Sequence, residues 1–174
     1  SSTWLWRGEP LVISAMIEAG EADIGWDLGV DGIGGLPDNM VKFGSSAETY
    51  ALTVNNIWHP EMKKVKVRRA MAHAINCQEL VDSLYAGKTT CRGNIIWPGI
   101  IGASTYNTTP YEYDPALSRQ LPEEAGYDSN NKITISARAS RVAKQIEVNE
   151  ALIGYWDQVG MNVDLQVVES AIRS

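Results

Sequence analysis

The chain has 174 residues, 44% hydrophobic and 21% charged, a balance that supports one packed domain and excludes a disordered, highly charged segment. Its formal net charge of -6 and pI near 4.9 create a field that repels phosphate backbones, so nucleic acid is not expected as a partner. No apolar run approaches the roughly 18 residues that span a bilayer, and Ser1 to Trp4 lacks the order of a signal peptide. Because a helical pattern begins almost at once, the chain reads as a piece of a longer protein. Membrane association is then expected only through an anchor lost with the rest or through a membrane partner.

Leu11 to Ala19 places Val12, Ile13, Met16 and Ile17 on one helical face, with Gly20 positioned to close the helix. Ala22 to Trp26 reads as a brief strand, and Gly29 to Gly35 with Pro37 as a loop or crossover. Thr49 to Val54 alternates as a strand packed on one face would, ending at Asn55 and Asn56 before Pro60. The basic run Lys63, Lys64, Lys66, Arg68 and Arg69 reads as a solvated approach to a helix. Val67, Met71, Ala74 and Ile75, then Leu80, Val81, Leu84 and Tyr85, give two helices or one bent near Asn76, closed by Gly87.

Lys88 to Glu112 has no period, but it carries Gly93, Pro98, Gly99, Gly102 and Pro110 with Trp97, Tyr106 and Tyr111, and a loop of that length is usually functional. Asp114-Pro115 opens a helix with an N-cap and a first-turn proline; Pro122 should kink or shorten it, and Gly126 closes it. Lys132 to Arg138 reads as a strand and Arg141 to Val159 as a helix with Val142, Ile146, Ile153 and Trp156 on its buried stripe. Val163, Leu165 and Val167 form a second strand. This strand-helix-strand unit predicts a parallel pair and an α/β class.

Cys77 and Cys91 lie 14 positions apart, which allows a bridge in an oxidising compartment or two buried thiols. His73 and Cys77, spaced i, i+4, share a helix face and would permit a Cys-His dyad, the basis of an alternative reading as a small α/β enzyme. No third ligand or orienting carboxylate accompanies them. No Gly-rich phosphate loop, His-Glu-x-x-His or Gly-x-Ser-x-Gly is present, so neither catalytic nor metal residues are assigned and no cofactor is expected.

The run Lys66-Val67-Arg68-Arg69-Ala70-Met71-Ala72-His73-Ala74-Ile75-Asn76 resembles the "VRQALAYAID" signature of the family 5 extracellular solute-binding proteins, the dipeptide, oligopeptide and nickel class. Thr53-Val54-Asn55 is similar to its "xFN" strand end, and Ala19 to Ile24 to its "sGEvDi" turn. Tyr111 to Pro115 followed by Glu124-Ala125-Gly126-Tyr127 resembles its "YxYDPxKAKxLLxEAGY" element, and Val159 to Val163 its "xGIxV" strand entry. Cys77, Pro122 and His73 depart from the pattern, standing where the family has a basic residue, a leucine and an aromatic.

The resemblance implies a periplasmic-binding-protein-like, type II lobe, α/β with a mixed sheet flanked by helices and a fragment of a two-lobed protein. Residues 1–45 would be a hinge-proximal segment and 46–174 the lobe core. It also implies a periplasmic or extracytoplasmic receptor, a cell-surface lipoprotein included, that passes a peptide or similar solute to ABC permease subunits; a sensor lobe of a regulator is a weaker alternative. Peptide binders of this family often use an arginine after the strand to grip a ligand carboxylate, which points to Arg138 and Arg141. Trp97, Trp26, Trp58 and Asn56 complete the expected ligand-binding set, the tryptophans as flat apolar walls.

Overall fold

The computed structural model describes residues 2–44, 49–103, 106–138 and 144–168. They fall into two compact units, Ser1–Ser46 and Ala47–Ser174. In the first, helix α1 (Pro10–Glu18) starts on a first-turn proline and ends before Gly20, whose φ of +72° suits glycine. The glycine-rich stretch is not the loop its composition suggests, because Gly29–Ile33 forms the short helix α2, followed by a 3-10 turn at Asp38–Met40. Gly32 makes this possible: a Cβ there would lie 2.9 Å from Pro10, and the Ser14 hydroxyl donates to the Gly32 carbonyl. The expected strand at Ala22 to Trp26 is irregular.

The second unit carries α3 (Pro60–Lys63), α4 (Val65–His73), α5 (Cys77–Tyr85), α6 (Pro115–Glu124), β1 (Ile133–Arg138), α7 (Gln145–Gln158) and β2 (Val163–Val168). The break between α4 and α5 falls at Asn76, whose side chain accepts from the Glu79 amide at 3.3 Å as an N-cap. Asp114 caps α6 in the same way, accepting from Leu117 N–H at 2.9 Å. Helices α4 and α6 pack through small groups: buried Ser118 donates to the Ala70 carbonyl at 2.7 Å. Pro122 does not end α6, which runs two residues further; the proline is buried in the last turn, where its missing N–H costs a single bond.

Strands β1 and β2 pair in parallel, Ile133 opposite Val163 through Arg138 opposite Val168, as the strand-helix-strand pattern requires. Among the described residues this pair is the whole sheet. Thr49 to Val54 forms no strand, because it finds no ladder partner there. Helix α7 covers the sheet with Val148, Leu152 and Trp156, and Asn149 is buried in the same stripe. That face is rotated from the expected one: Ile146 and Ile153 are half-buried at its margins, and Val142 lies outside the described residues. Trp156 is the largest side chain in a core that also contains Met62, Val67, Ala70 and Ile133.

Buried Glu61 ties α3 to the turn before β1. Lys64 Nζ lies 3.0 and 2.9 Å from its two carboxylate oxygens and 2.7 Å from the Gly126 carbonyl, and Asn131 Nδ2 donates to Oε1 at 3.1 Å. Burial pushes this carboxyl up, but hydrogen bonds from Lys64, Asn131 and the Asp128 backbone, with the Lys64 charge, hold it below the usual carboxylate value. A carboxylate with a lowered folded pKa stabilises above its unfolded value of about 4.3, and that contribution disappears as the pH falls through the folded value. Glu61→Gln should therefore lower the melting temperature at pH 7 and flatten its fall below about pH 4.3. Parallel acid profiles for variant and parent would contradict this.

Candidate functional site

A cleft of about 720 Å³ runs along one edge of β1. Ile133 N–H donates to the Asn162 carbonyl at 3.0 Å, so the odd-numbered residues of β1 face β2. In a parallel ladder the alternate residues turn their backbone groups the other way, which places those of Thr134 and Ser136 on the cleft side. Residues 50–55 form the opposite wall and run antiparallel to β1. At one end Tyr50 donates its hydroxyl to Asn149 of α7. At the other, His59 Nδ1 accepts from Glu61 N–H at 3.2 Å, so Nε2 carries the proton and donates to the Lys132 carbonyl at 3.0 Å. Met62, Met71 and Trp156 lie beneath. Burial pushes the Tyr50 hydroxyl above its ordinary value despite the Asn149 bond, which keeps it a donor at neutral pH.

Trp58 lines the mouth of this cleft and is 80% exposed. Its position follows from Asn55, whose Oδ1 accepts from Trp58 N–H at 3.1 Å and Ile57 N–H at 3.3 Å in an Asx-type turn. Asn55 rather than Asn56 lines the cleft; the Asn56 amide donates to Val54. Both asparagines and Trp58 sit by the amino end of β1. Arg138 ends the strand at its carboxyl end, about 17 Å away at about 3.3 Å per residue. These candidates therefore do not meet at one point. The Arg138 side chain and all of Arg141 lie outside the described residues. Trp26 belongs to the first unit, where it is 87% exposed beside Asp27 with a φ of +60°.

Trp97 is half-buried in the long loop, with the Arg92 guanidinium 4.6 Å from its ring centroid, a cation-π arrangement. The loop is held at its base by a Cys77–Cys91 disulfide with Cα atoms 6.0 Å apart. Gly93 N–H donates to the Thr108 carbonyl at 3.0 Å, and a Cβ at Gly93 would overlap the carbonyl oxygens of Thr109 and Asn107. The glycine thus permits a backbone crossing that no other residue fits. The disulfide also removes the Cys-His dyad: Cys77 has no thiol to ionise. His73 Nδ1 instead lies 2.8 Å from the Glu112 carbonyl, with its ring edge-on to Tyr111.

Tyr50, Asn149 and Gln145 were not among the expected site residues, although Tyr50 and Gln145 line the cleft and Asn149 anchors its wall. Asn149, 0% exposed, carried a signal in the form of an amide within an apolar helical stripe. Among the described residues no group of three or more His, Cys, Asp or Glu side chains is arranged to hold a metal ion, and no helix is long and apolar enough to cross a membrane.

Residues 8–174 match the family model for bacterial extracellular solute-binding proteins, family 5 Middle. Over its whole length the chain is 27% identical, across 180 residues, to the glutathione-binding protein GsiB of Salmonella choleraesuis (strain SC-B67). It spans only 34% of that relative. Among solved structures, a nickel ABC transporter protein from Bacillus halodurans superposes with a TM-score of 0.72 at 25% identity, covering 95% of this chain and 36% of that one. The periplasmic binding protein DppA from Helicobacter pylori, in complex with the peptide STSA, superposes with a TM-score of 0.53 at 27% identity, covering 66% of this chain and 22% of that one.

Proposed function

Since the chain belongs to family 5 of the bacterial extracellular solute-binding proteins, we propose that it builds one ligand-capturing lobe of a receptor that delivers a peptide-like solute to an ABC permease. Its fold is that of a type II periplasmic binding protein in part: helices around a small parallel sheet. The observation that carries the reading is the family match from residue 8 to residue 174, continuous across both compact units. The matched relatives are binding proteins rather than enzymes, and with Cys77 in a disulfide the chain binds its solute without chemistry. A disulfide fits the extracytoplasmic location of such receptors, whether free in the periplasm or anchored as a lipoprotein. The first unit is read as the hinge-proximal segment leading into the lobe.

Peptides are the favoured class, because two relatives at 27% identity carry glutathione or a bound tetrapeptide in their names. The solute is placed beyond the carboxyl end of β1, where open α/β sheets collect ligands. There Arg138 and Arg141 can offer a carboxylate two parallel N–H bonds each. Trp97 supplies an apolar wall, and Trp58 and Asn56 are reached only by an extended ligand. In the longer protein, with the solute retained from the cell identified by mass spectrometry, Arg141→Ala and Trp97→Ala should each weaken binding by about 1–3 kcal/mol. Unchanged affinity for both removes them from the site.

A further inference from the structure

We propose that the Cys77–Cys91 bridge is a reversible redox latch on the long loop, opened in the folded protein by a dithiol reductant that attacks Cys91 and leaves Cys77 as a thiolate. Both cysteines are only half-buried, within reach of a thiolate from outside. The bridge joins two bodies that are each held without it. On one side, the Asn76 side chain accepts from Glu79 N–H at 3.3 Å, the Tyr155 hydroxyl donates to Glu79 Oε2 at 2.8 Å, and Leu80 and Val81 are buried, so α5 keeps its place. On the other, Gly93 N–H donates to the Thr108 carbonyl at 3.0 Å and Asn94 Nδ2 to the Tyr106 carbonyl at 3.4 Å, which closes the loop on itself. Its far end is tied down by Asp114 N–H, which donates to the His73 carbonyl at 2.8 Å. Among the described residues no backbone hydrogen bond joins residues 89–92 to α5. Opening the bridge therefore frees the neck of the loop and leaves the core packed.

The direction of attack follows from the two environments. Cys77 is the first residue of α5, a helix of nine residues, and the first-turn N–H groups that no carbonyl inside the helix can reach favour a negative sulfur there. Glu79, the acid in that turn, is engaged by the Tyr155 hydroxyl. Cys91 lies in irregular backbone, and the guanidinium of its neighbour Arg92 is stacked over Trp97. The sulfur that forms the more stable thiolate leaves faster, so the incoming thiolate bonds to Cys91 Sγ and the S–S electron pair goes to Cys77 Sγ. The second thiol of the reductant then attacks its own sulfur in the mixed disulfide and releases Cys91. Two protons pass from the dithiol to the two cysteines, and the reductant is oxidised to a disulfide. An oxidised dithiol of the same class closes the bridge by the reverse steps. The freed neck carries Arg92 and leads to Trp97, so the latch regulates solute capture, a consequence that rests on the reading of Trp97 as an apolar wall.

The test uses the longer protein without solute, so its outcome does not depend on where the solute binds. With dithiothreitol in native buffer, opening of the bridge, followed by alkylation of Cys77 and Cys91 and mass spectrometry, should quicken in proportion to reductant concentration without a plateau. Trypsin cleavage after Lys88 or Arg92, which flank Cys91, should then be at least about tenfold faster, while the reduced protein keeps its circular dichroism and still unfolds cooperatively on heating. Oxidised dithiothreitol should restore the slow cleavage. A thioredoxin-type dithiol protein whose second cysteine is replaced by serine should be trapped on Cys91. An opening rate that levels off with reductant concentration would mean that the bridge is reached only after unfolding, and would overturn the proposal. So would loss of the dichroism on reduction, which would make the bridge a staple of the whole lobe, or cleavage that reduction leaves unchanged. An adduct trapped on Cys77 would overturn the assigned direction of attack, and the proposal with it.

Discussion

Trp156→Ala should cost about 3–5 kcal/mol of folding stability, the range for truncating a buried aromatic whose site cannot collapse. Trp156 is 1% exposed and is the largest fully buried side chain among the described residues. Its indole N–H donates to the Met71 carbonyl at 2.9 Å, so it fixes α7 to α4 by direction as well as by area. It also lines the cleft beside β1 with Met62 and Met71, so truncation removes support from both the core and the cleft wall. Trp156→Phe keeps most of the apolar area but leaves the Met71 carbonyl unpaired, and a smaller loss of about 1–3 kcal/mol is expected. Chemical denaturation checks both. A loss below about 1 kcal/mol for the alanine variant would mean that this packing does not hold the lobe together.

Replacing both cysteines with serine should cost up to about 3 kcal/mol, the loop-closure value for a loop of about 15 residues. For a chain of this size that corresponds to a fall in melting temperature of about 6–12 °C. The effect is local in origin, since the bridge joins the first residue of α5 to the start of the segment that carries Arg92, Gly93 and Trp97. Reductant added to the parent protein should reproduce the shift, and reductant added to the double-serine variant should do nothing. Insensitivity of the parent to reductant would show that the two sulfurs are not joined. In the longer protein, loosening the loop should also weaken solute binding through Trp97.

Much of the architecture was legible because short-range chemistry dictates it. Asp114-Pro115 and Asn76 mark helix starts through cap hydrogen bonds that involve residues only three apart. The alternation around Ile133 and Val163, with a helical period between them, leaves a parallel pair as the only economical arrangement. The failures are those of non-local information. Thr49 to Val54 has the period of a strand, but a strand exists only with a neighbour to bond, and none is present among the described residues. Gly29 to Gly35 has loop composition, yet Gly32 lets α2 approach α1 closely, a packing requirement that composition does not express.

The site was legible only in outline for the same reason. Trp58 and Asn56 were grouped with Arg138 because all follow or end apparent strands, but residues 50–55 run against β1 and carry them to its opposite end. Asn55 rather than Asn56 turns into the cleft because its side chain closes the local turn, a choice between adjacent identical residues that periodicity cannot make. Asn149 was hidden in an apolar stripe, and its partner Tyr50 lies 99 positions away. Cys77 and Cys91 were visible as a possible pair, with spacing that allowed a bridge or two thiols; the geometry has them joined.

The central claim, a solute-capturing lobe without catalysis, is tested most directly by titration calorimetry of the longer protein against the solute it retains from the cell. The expected result is saturable one-to-one binding, with the solute recovered chemically unchanged at the end of the titration. Conversion of the solute during the experiment, or the absence of any solute that binds, would contradict it.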